Sequence, residues 1–293
     1  MEQQDLLGRI GDAYKKMSKG QKRIADYITN NYDKAAFMTA CKLGECASVS
    51  ESTVVRFADA LGFDGYPELQ KTLQELIRNK LTTVQRIELA SDMDEITVLK
   101  TVLKSDMNNI RMTIDKINEE QFQEAVESLD GARKVYILGL RSSAPLTQFI
   151  GYYLNFVLQN VHVCTPGVSD IFEQLMPATS QDVVIGVSFP RYSTRTLEGV
   201  QFAKKRGVKV IAITDSTSSR IAECADIVLT AQSDMASFVD SFVAPLSLVN
   251  ALIVAIGLRR REDISKKFQE LENIWREYNV YIERQATKEE QRT

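Results

Sequence analysis

The sequence predicts an all-α N-terminal region followed by an α/β C-terminal domain with a parallel sheet. In the first 80 residues, apolar side chains recur at three- and four-residue spacing, as in short amphipathic helices. After residue 130, short β-branched runs alternate with helical segments, which indicates βαβ units. The 293 residues are enough for about two domains. We therefore expect a helical domain over 1–80, a linker and connecting helix over 81–117, and an α/β domain over 118–293.

The helical domain contains two adjacent helices around a short turn. Residues 39–47 suit the first helix, and Ser48 to Ser50 form a turn whose hydroxyls could cap the second helix. The second helix has a buried face at i, i+3, i+4 and i+7, and Gly62 would end it. That face comprises Val54, Phe57, Ala58 and Leu61.

The other face of the second helix is polar and carries Glu51, Ser52, Thr53 and Arg56. Two helices around such a turn, with small hydroxyl residues at the start of the second, are typical of a helix-turn-helix entering the DNA major groove. From spacing alone, a plain helical bundle remains an alternative. The net charge of −3 decides little, since a DNA-binding face needs only local positive charge.

Between the two domains, 94–117 is predicted to be one long helix that Asp92 or Asp94 could cap. Its apolar residues fall near a heptad seam, which Asp106 and Thr113 interrupt. A connecting or packing helix is therefore favoured over a coiled coil.

The predicted strands of the α/β domain are apolar on both faces, as strands covered by helices on each side must be. They are 134–138, 161–163, 182–187, 208–213 and 226–229. An apolar segment from Phe242 to Leu258 is short for a membrane span and suits a helix in a core or an interface. Near the C-terminus, apolar residues at helical spacing predict an amphipathic helix, which could dock on its own domain or on a partner subunit. It comprises Ile264, Phe268, Leu271, Trp275, Tyr278 and Ile282.

Polar loops follow two of the predicted strands, where ligands of open parallel sheets bind. Hydroxyls, helix N-terminal N–H groups and arginines together suit a phosphate group, although caps and turns would explain the same serines. The candidates are Arg141, Ser142, Ser143, Ser188, Arg191, Ser193 and Thr194, with Thr214 and Ser216 weaker.

Other function classes lack their signals. The four cysteines are scattered and there is one histidine, so a zinc site is not expected. No nucleotide-binding glycine motif occurs, and we expect no cofactor. The N-terminal residues do not resemble a signal peptide, so a cytoplasmic protein with no membrane partner is expected.

The segments 21–28 and 48–70 closely resemble the helix-turn-helix domain of the RpiR family of transcription regulators. The core S-x-S-T-V-x-R-F-x-x-x-L-G-F of that domain matches from Ser50 to Phe63. The resemblance implies binding of double-stranded operator DNA by Ser50, Glu51, Ser52, Thr53 and Arg56, of which Arg56 could contact a phosphate or read a guanine. Candidate phosphate contacts are Lys22, Lys42 and Lys71, with Lys19 and Arg23.

Residues 118–260 resemble the sugar isomerase (SIS) domain, the C-terminal half of RpiR regulators. It implies a five-stranded parallel sheet of flavodoxin-like order that binds a phosphosugar. Both loops depart from the usual pattern: Arg141 replaces the second glycine of G-x-G-x-S, and Pro190 and Arg191 replace Ser-Gly in S-x-S-G-x-T.

Together these features predict a regulator of carbohydrate metabolism, not an enzyme, whose operator affinity a phosphosugar modulates. We expect a homodimer or a tetramer. The alternative is an SIS-type sugar-phosphate isomerase, which needs a base near the sugar. His162 lies in a predicted strand, and Glu173 follows the second strand and could reach a pocket.

Overall fold

The computed structural model describes residues 6–80, 87, 93–235 and 238–281. The chain forms two compact units. The helical unit comprises 1–103 and 235–239, and the sheet unit comprises 104–234 and 240–293.

The described part of the helical unit contains no strand, as predicted. Its helices are α1 (Leu6–Tyr14), α2 (Lys19–Asn30), α3 (Tyr32–Ala35), α4 (Ala40–Ala47), α5 (Glu51–Ala60) and α6 (Gly65–Lys80). A capping box starts α2, because the Ser18 hydroxyl accepts from the Gln21 N–H at 3.3 Å while the Gln21 side chain accepts from the Ser18 N–H at 3.0 Å. Each bond satisfies an N–H group that a helix start leaves without a partner.

The described core of the helical unit is apolar and includes the buried hydroxyl of Tyr66. Ile24, Leu43 and Phe57 are completely buried. The Tyr66 hydroxyl donates to the Met38 carbonyl at 2.7 Å, and burial raises the pKa of Tyr66 to about 12. The phenol therefore remains protonated wherever the unit is folded at ordinary pH.

A long helix, α7 (Glu95–Lys116), begins where the sequence predicted. Asp94 accepts from the Thr97 N–H at 2.8 Å, which confirms it as a cap; Asp92 lies outside the described residues. Within the sheet unit, the completely buried Asn109 donates to the Asp234 carbonyl at 2.7 Å and accepts from the Asp234 N–H at 3.1 Å. The amide of Asn109 thus joins α7 to the segment that follows the last strand.

The two polar residues that interrupt the seam of α7 bind the same region. The Thr113 hydroxyl accepts from the Gln232 N–H at 2.8 Å, and the Ser241 hydroxyl donates to Asp106 at 2.5 Å. Thr113 thus satisfies a backbone N–H after the last strand, and Asp106 binds a side-chain hydroxyl farther along the same segment.

The sheet has five parallel strands in the order β2-β1-β3-β4-β5, which confirms the predicted flavodoxin-like order. The strands are β1 (Val135–Leu138), β2 (Val161–Cys164), β3 (Val183–Val187), β4 (Lys209–Thr214) and β5 (Ile227–Thr230). Every residue of β1 and β3 is buried, because helices cover both faces of the sheet centre.

Helices of the sheet unit form two layers. On one face pack α8 (Glu119–Asp130), α9 (Ala144–Leu158) and α12 (Val243–Arg259). On the other pack α10 (Ile171–Leu175) and α11 (Thr194–Lys205). From β1 the chain adds β2 on one side and then β3 on the other, so the strand order reverses between β1 and β3. The carboxyl ends of these two strands therefore flank the crevice where ligands of such sheets bind.

The last two helices differ in burial. In α12, one face packs into the core, including Leu252 and Ile256, as the apolar run predicted. In contrast, α13 (Arg261–Glu277) has no buried residue, and its contact with the domain includes Phe268 against Phe156 at 5.8 Å between ring centroids. Ile282, the last residue of the predicted stripe, lies outside the described residues.

Among the described helices, none is by itself long and apolar enough to cross a membrane. Among these helices, one consecutive pair, α12 and α13, is together long and apolar enough for a span, and it is bent by 102°.

Candidate functional sites

The turn between α4 and α5 depends on a close backbone approach. The Val49 N–H donates to the Gly44 carbonyl at 2.8 Å, and Ser48 adopts a left-handed φ of 54°. A Cβ on Gly44 would lie 2.8 Å from the Val49 carbonyl oxygen, so only glycine fits without a backbone shift. This contact sets the angle at which α5 leaves the turn.

One face of α5 is buried as its periodicity predicted. Val54, Phe57 and Ala58 are completely buried, and Gly62 follows the helix with a φ of 83°. The opposite face is therefore the one that α5 can present to a ligand.

That outer face carries a group of hydrogen-bonded hydroxyls. The Ser50 hydroxyl lies 2.9 Å from that of Ser52 and 2.8 Å from that of Thr53. Arg56 donates through Nε to the Ser52 carbonyl at 3.3 Å, and Glu51 is exposed in the first turn. The prediction that Ser50 caps α5 through its hydroxyl is wrong, because that hydroxyl bonds other hydroxyls rather than a helix N–H.

The start of α2 lies beside the start of α5. A Cβ on Gly20 would lie 3.3 Å from the Thr53 methyl carbon, which brings the N-terminal turn of α2 close to the hydroxyl group. Lys22 is on that turn, with its ammonium 5.4 Å from the centroid of the Tyr14 ring, and Lys19 and Arg23 are exposed. This proximity was not predicted, and a glycine next to a helix start was its only signal.

The other two candidate lysines are placed differently. Lys42 is on α4 and pairs with Glu45 at 3.0 Å; this hydrogen bond raises the pKa of Lys42. Lys71 is on α6, and its side chain lies outside what the structure describes.

In the sheet unit, the loops after β1 and β3 are neighbours because these strands pair, with Leu138 opposite Gly186. A 3-10 turn, Arg141–Ser143, leads into α9, and Pro145 is in the first turn of that helix, as predicted. The Leu140 N–H donates to the buried hydroxyl of Thr196 at 3.2 Å. This bond ties the tip of β1 to the start of α11, and the sequence analysis did not single out Thr196.

The candidate hydroxyls divide by burial. Ser143 and Ser188 are each 4% exposed, and neither hydroxyl has a hydrogen-bond partner among the described residues. Ser193 caps α11, with its hydroxyl accepting from the Thr196 N–H at 3.3 Å. Ser142 and Thr194 are exposed at the starts of the two helices. The hydroxyls of Ser143 and Ser188 are therefore available to a ligand.

Both candidate arginines have left-handed backbones. Arg141 has a φ of 59° and Arg191 a φ of 66°, and both side chains are exposed. These are the loop positions at which the SIS resemblance has glycine, so the loops keep a glycine-like path with a charged residue in it.

A cavity of about 460 Å³ opens beside these loops, on the β2 side. It is lined by Leu140, residues 166–171, Glu173 and Arg195, and none of the predicted phosphate contacts lines it. Arg195 pairs with Asp170 and lies 4.5 Å from the Phe172 ring centroid. The hydrogen bond from the Phe172 N–H lowers the pKa of Asp170, and the hydrogen bond and positive charge of Arg195 lower it further. The Pro166-Gly167 turn after β2 could have indicated this cavity.

Both residues considered as an isomerase base have structural partners. Glu173 completes a capping box by accepting from the Asp170 N–H at 3.0 Å. His162 Nε2 lies 3.3 Å from the Gln174 side-chain oxygen. Neither residue is one of the groups at the tips of β1 and β3.

Comparison with known proteins identifies both modules. The family model described as a helix-turn-helix domain of the rpiR family matches residues 4–80, and the SIS domain model matches 128–255. The sugar isomerase domain of an RpiR transcription factor from Sphaerobacter thermophilus is 31% identical, with a TM-score of 0.57. The match covers 96% of that structure and 59% of this chain. The chain belongs to the RpiR family.

The similarity of this RpiR chain to other regulators extends over its length. An uncharacterised HTH-type transcriptional regulator from Haemophilus influenzae is 28% identical over 89% of this chain and 92% of its own. The Vibrio vulnificus NanR protein, solved with ManNAc-6P, is 18% identical with a TM-score of 0.58, over 95% of this chain and all of that one. At that identity, the likeness to NanR shows the fold alone. The RpiR chain is thus a transcription regulator with a DNA-binding helix-turn-helix and an SIS domain.

Proposed function

We propose that this RpiR regulator controls genes of carbohydrate metabolism and that a phosphosugar bound in its SIS domain modulates its operator affinity. The observation that carries the proposal is that Ser143 and Ser188, whose hydroxyls make no hydrogen bond among the described residues, belong to the loops after two adjacent strands. A phosphoryl oxygen would supply the missing acceptor.

The phosphate would also meet the starts of α9 and α11. Free N–H groups and the positive end of the dipole make a helix N-terminus favourable for an anion. Ser193 accepts a backbone N–H and so can direct its own O–H to a phosphate oxygen, while Ser142 and Thr194 are exposed beside it. Arg141 and Arg191 add positive charge. The complex of NanR, of the same fold, with ManNAc-6P supports this ligand class.

For the operator, we assign base reading to the outer face of α5. Arg56 is held against Ser52 and can pair with a guanine edge, while Ser50, Glu51 and Thr53 lie at the end of α5 that enters the groove. Lys22, Lys42 and Lys71 would contact phosphates and supply affinity rather than sequence preference.

Two helix-turn-helix heads are needed to read an inverted repeat, so we propose a homodimer that could pair into a tetramer. The apolar residues Val254 and Leu258 of α12 are 59% and 68% exposed, and α13 has no buried residue. A second copy packed on these helices would cover that surface.

Modulation requires that the phosphosugar bind one conformational state more tightly than another. The bonds of Asn109 and Thr113 hold α7 to the segment after β5. This segment begins at the carboxyl end of β5, on the side of the sheet where we place the ligand. A ligand that shifts the loops on this side of the sheet, and the segment after β5 with them, would therefore act on α7.

An SIS-type isomerase is the other candidate function. It is not favoured, because Glu173 and His162 have structural partners. Turnover of any sugar phosphate that binds would revive it.

The test is a thermal-shift screen of the full chain against sugar phosphates and amino-sugar phosphates, because a bound ligand raises the melting temperature. The double variant Ser143→Ala with Ser188→Ala should remove the shift while DNA binding without ligand persists. Ser180→Ala, an exposed serine in the turn before β3, is the matched control. A shift that survives in the double variant would place the ligand elsewhere.

Arg56→Ala tests the DNA half on an operator selected from random duplexes. We expect a loss of about 1–3 kcal/mol of discrimination at one base pair. Lys19→Ala, on the start of α2, should instead weaken binding to all sequences alike and reduce the salt dependence. Unchanged sequence preference in Arg56→Ala would refute its assignment.

A further inference from the structure

The two ends of α7 have different surroundings. Ile117, just past its C-terminal end, packs against the core of the sheet unit. Over the first turns of the helix, every residue from Glu95 to Lys100 is exposed. Ile96, Leu99 and Leu103 are 60%, 55% and 55% exposed. A group of large apolar side chains exposed together on one helix marks an interaction surface.

The N-terminal part of α7 is poorly suited to a helix that stands alone in water. Five of the eight residues from 95 to 102 are β-branched, and such side chains lose rotamer freedom in a helix. They are Ile96, Thr97, Val98, Thr101 and Val102. Most helix stability in proteins comes from packing of an apolar face. The segment therefore needs a partner for its apolar residues.

The exposed apolar residues have the spacing of a coiled-coil seam. Ile96, Leu99 and Leu103 occupy successive a, d and a positions of one heptad pattern. Isoleucine at a with leucine at d favours two parallel strands. The next d position is Asp106, whose carboxylate accepts from the Ser241 hydroxyl at 2.5 Å. The seam that a partner can cover thus ends where α7 begins to bind the segment after β5.

The charges beside this seam are complementary to those of a second copy of the chain. Glu95 is at a g position and Lys100 is at the e position of the next heptad. In a parallel pair, a g residue faces the e residue five positions further along the other helix, so Glu95 of one copy faces Lys100 of the other. Within one helix these two residues are not neighbours, because neighbours lie three or four positions apart. The charge pattern is therefore explained by pairing between copies.

We propose that residues 95–103 pair with the same residues of a second copy as a short parallel two-stranded coil. This proposal rests on the homodimer proposed above and adds an interface to the one on α12 and α13. A seam this short does not hold two chains together by itself. Sheet units that are already paired bring the two helices to a high effective concentration, at which a weak interface forms.

The coil would give the dimer a defined polarity. Both α7 helices start at the same end of a parallel coil, so the two chains arrive there side by side from their helix-turn-helix domains. An inverted repeat requires two such domains related by a two-fold axis. The coil thus restricts the separation of the two domains.

Disulfide formation in the full chain tests the pairing directly. Leu99→Cys is compared with Thr101→Cys, on the opposite side of the helix, both in a background of Cys41→Ser with Cys46→Ser that removes two exposed thiols. Under mild oxidation, Leu99→Cys should form covalent dimers about tenfold or more faster, because a thiol at d faces its own copy across the seam. Equal rates would refute the coil.

Charge reversal tests the parallel register. In the Leu99→Cys chain, Lys100→Glu places two acidic residues against each other on both sides of the seam, so cross-linking should slow about threefold or more. Adding Glu95→Lys restores opposite charges with exchanged signs, and the rate should recover to within about twofold. An unchanged rate in the single variant, or no recovery in the double variant, would contradict this register.

Sedimentation velocity separates failure of the coil from failure of the homodimer. If the chain sediments as a dimer and Leu99→Cys is not cross-linked preferentially, the coil is refuted and the homodimer stands. If the chain is a monomer both with and without operator DNA, the homodimer is refuted and the coil with it.

Discussion

The helical unit and the sheet unit place their candidate residues on different kinds of backbone. In the helical unit, Ser52, Thr53 and Arg56 are on a regular helix, so the buried face of α5 determines the direction of its outer face. In the sheet unit, Ser143, Ser188 and Arg191 are in loops, and their arrangement depends on φ angles and on single bonds such as that from Leu140 to Thr196.

A site on a helix is therefore robust to local change but sensitive to core packing. A site on loops after strands is sensitive to individual residues that set the loop path. The two units should therefore respond differently to the same kind of substitution.

Phe57→Ala should have the largest effect, because Phe57 is completely buried in the helical unit. We expect a loss of about 3–5 kcal/mol of stability in that unit. DNA binding should be lost while phosphosugar binding persists. Leu138→Ala, the matched core variant of the sheet unit, should cost about 2–5 kcal/mol and remove ligand binding first. Denaturant unfolding with both binding assays checks the pair; equal loss of both activities in each variant would contradict it.

Gly44→Ala should have the next largest effect, about 1–3 kcal/mol, because the new methyl group would lie 2.8 Å from the Val49 carbonyl oxygen. The turn before α5 would have to shift, so operator affinity should fall more than helix content. Circular dichroism with a DNA titration measures both. Unaltered operator affinity would show that the turn tolerates the displacement.

The sheet unit should lose stability in acid, and the helical unit should lose stability in alkali. Burial would raise the pKa of Asp182, but hydrogen bonds from Arg133 and Thr179 outweigh burial and lower it below 3.8. Its contribution to the sheet unit is present above pH 3.8 and is lost as pH falls through the lowered pKa. Burial raises the pKa of Tyr66, so the protonated phenol contributes stability to the helical unit that is fully present below pH 10.0. That contribution is lost as pH rises through about 12.

Hydrogen exchange across the pH range can follow β3 and α6 separately. Asp182→Asn should weaken the acid response of β3, and Tyr66→Phe should weaken the alkaline response of α6. The same response in both segments would show that other groups control it.

Gly11→Ala should give the smallest effect, and it should be favourable. Gly11 is an exposed residue inside α1, and a Cβ there would meet no atom within 4 Å. Alanine should stabilise the helical unit by about 0.5–1 kcal/mol and leave operator affinity unchanged. Thermal unfolding measures the gain, and a loss would mean that this helix packs more tightly than described.

Much of the fold could be predicted from the sequence because it follows from periodicity. The five strands are found within about one residue of the predicted runs, since alternating helices and apolar strands leave few arrangements. The buried face of α5 and its end at Gly62 follow from spacing and from the φ that glycine permits.

The candidate site was less predictable for physical reasons. Whether Ser50 caps a helix or bonds other hydroxyls depends on rotamers that no pattern encodes. The bond to Thr196 joins residues 56 positions apart, and the cavity beside Gly167 depends on how two loops and a helix start meet. Such contacts arise only when the tertiary fold has formed.

The double hydrogen bond of Asn109 has a consequence for engineering chimeric regulators. It requires one donor and one acceptor on a short side chain, so leucine would remove both bonds to the partly buried backbone of Asp234 and aspartate would remove the donor, at a cost of about 1–3 kcal/mol. A foreign DNA-binding head should therefore be spliced upstream of Ser105. A joint that keeps the helical phase from there through Thr113 would preserve the hydrogen bonds that hold this part of α7 to the segment after β5.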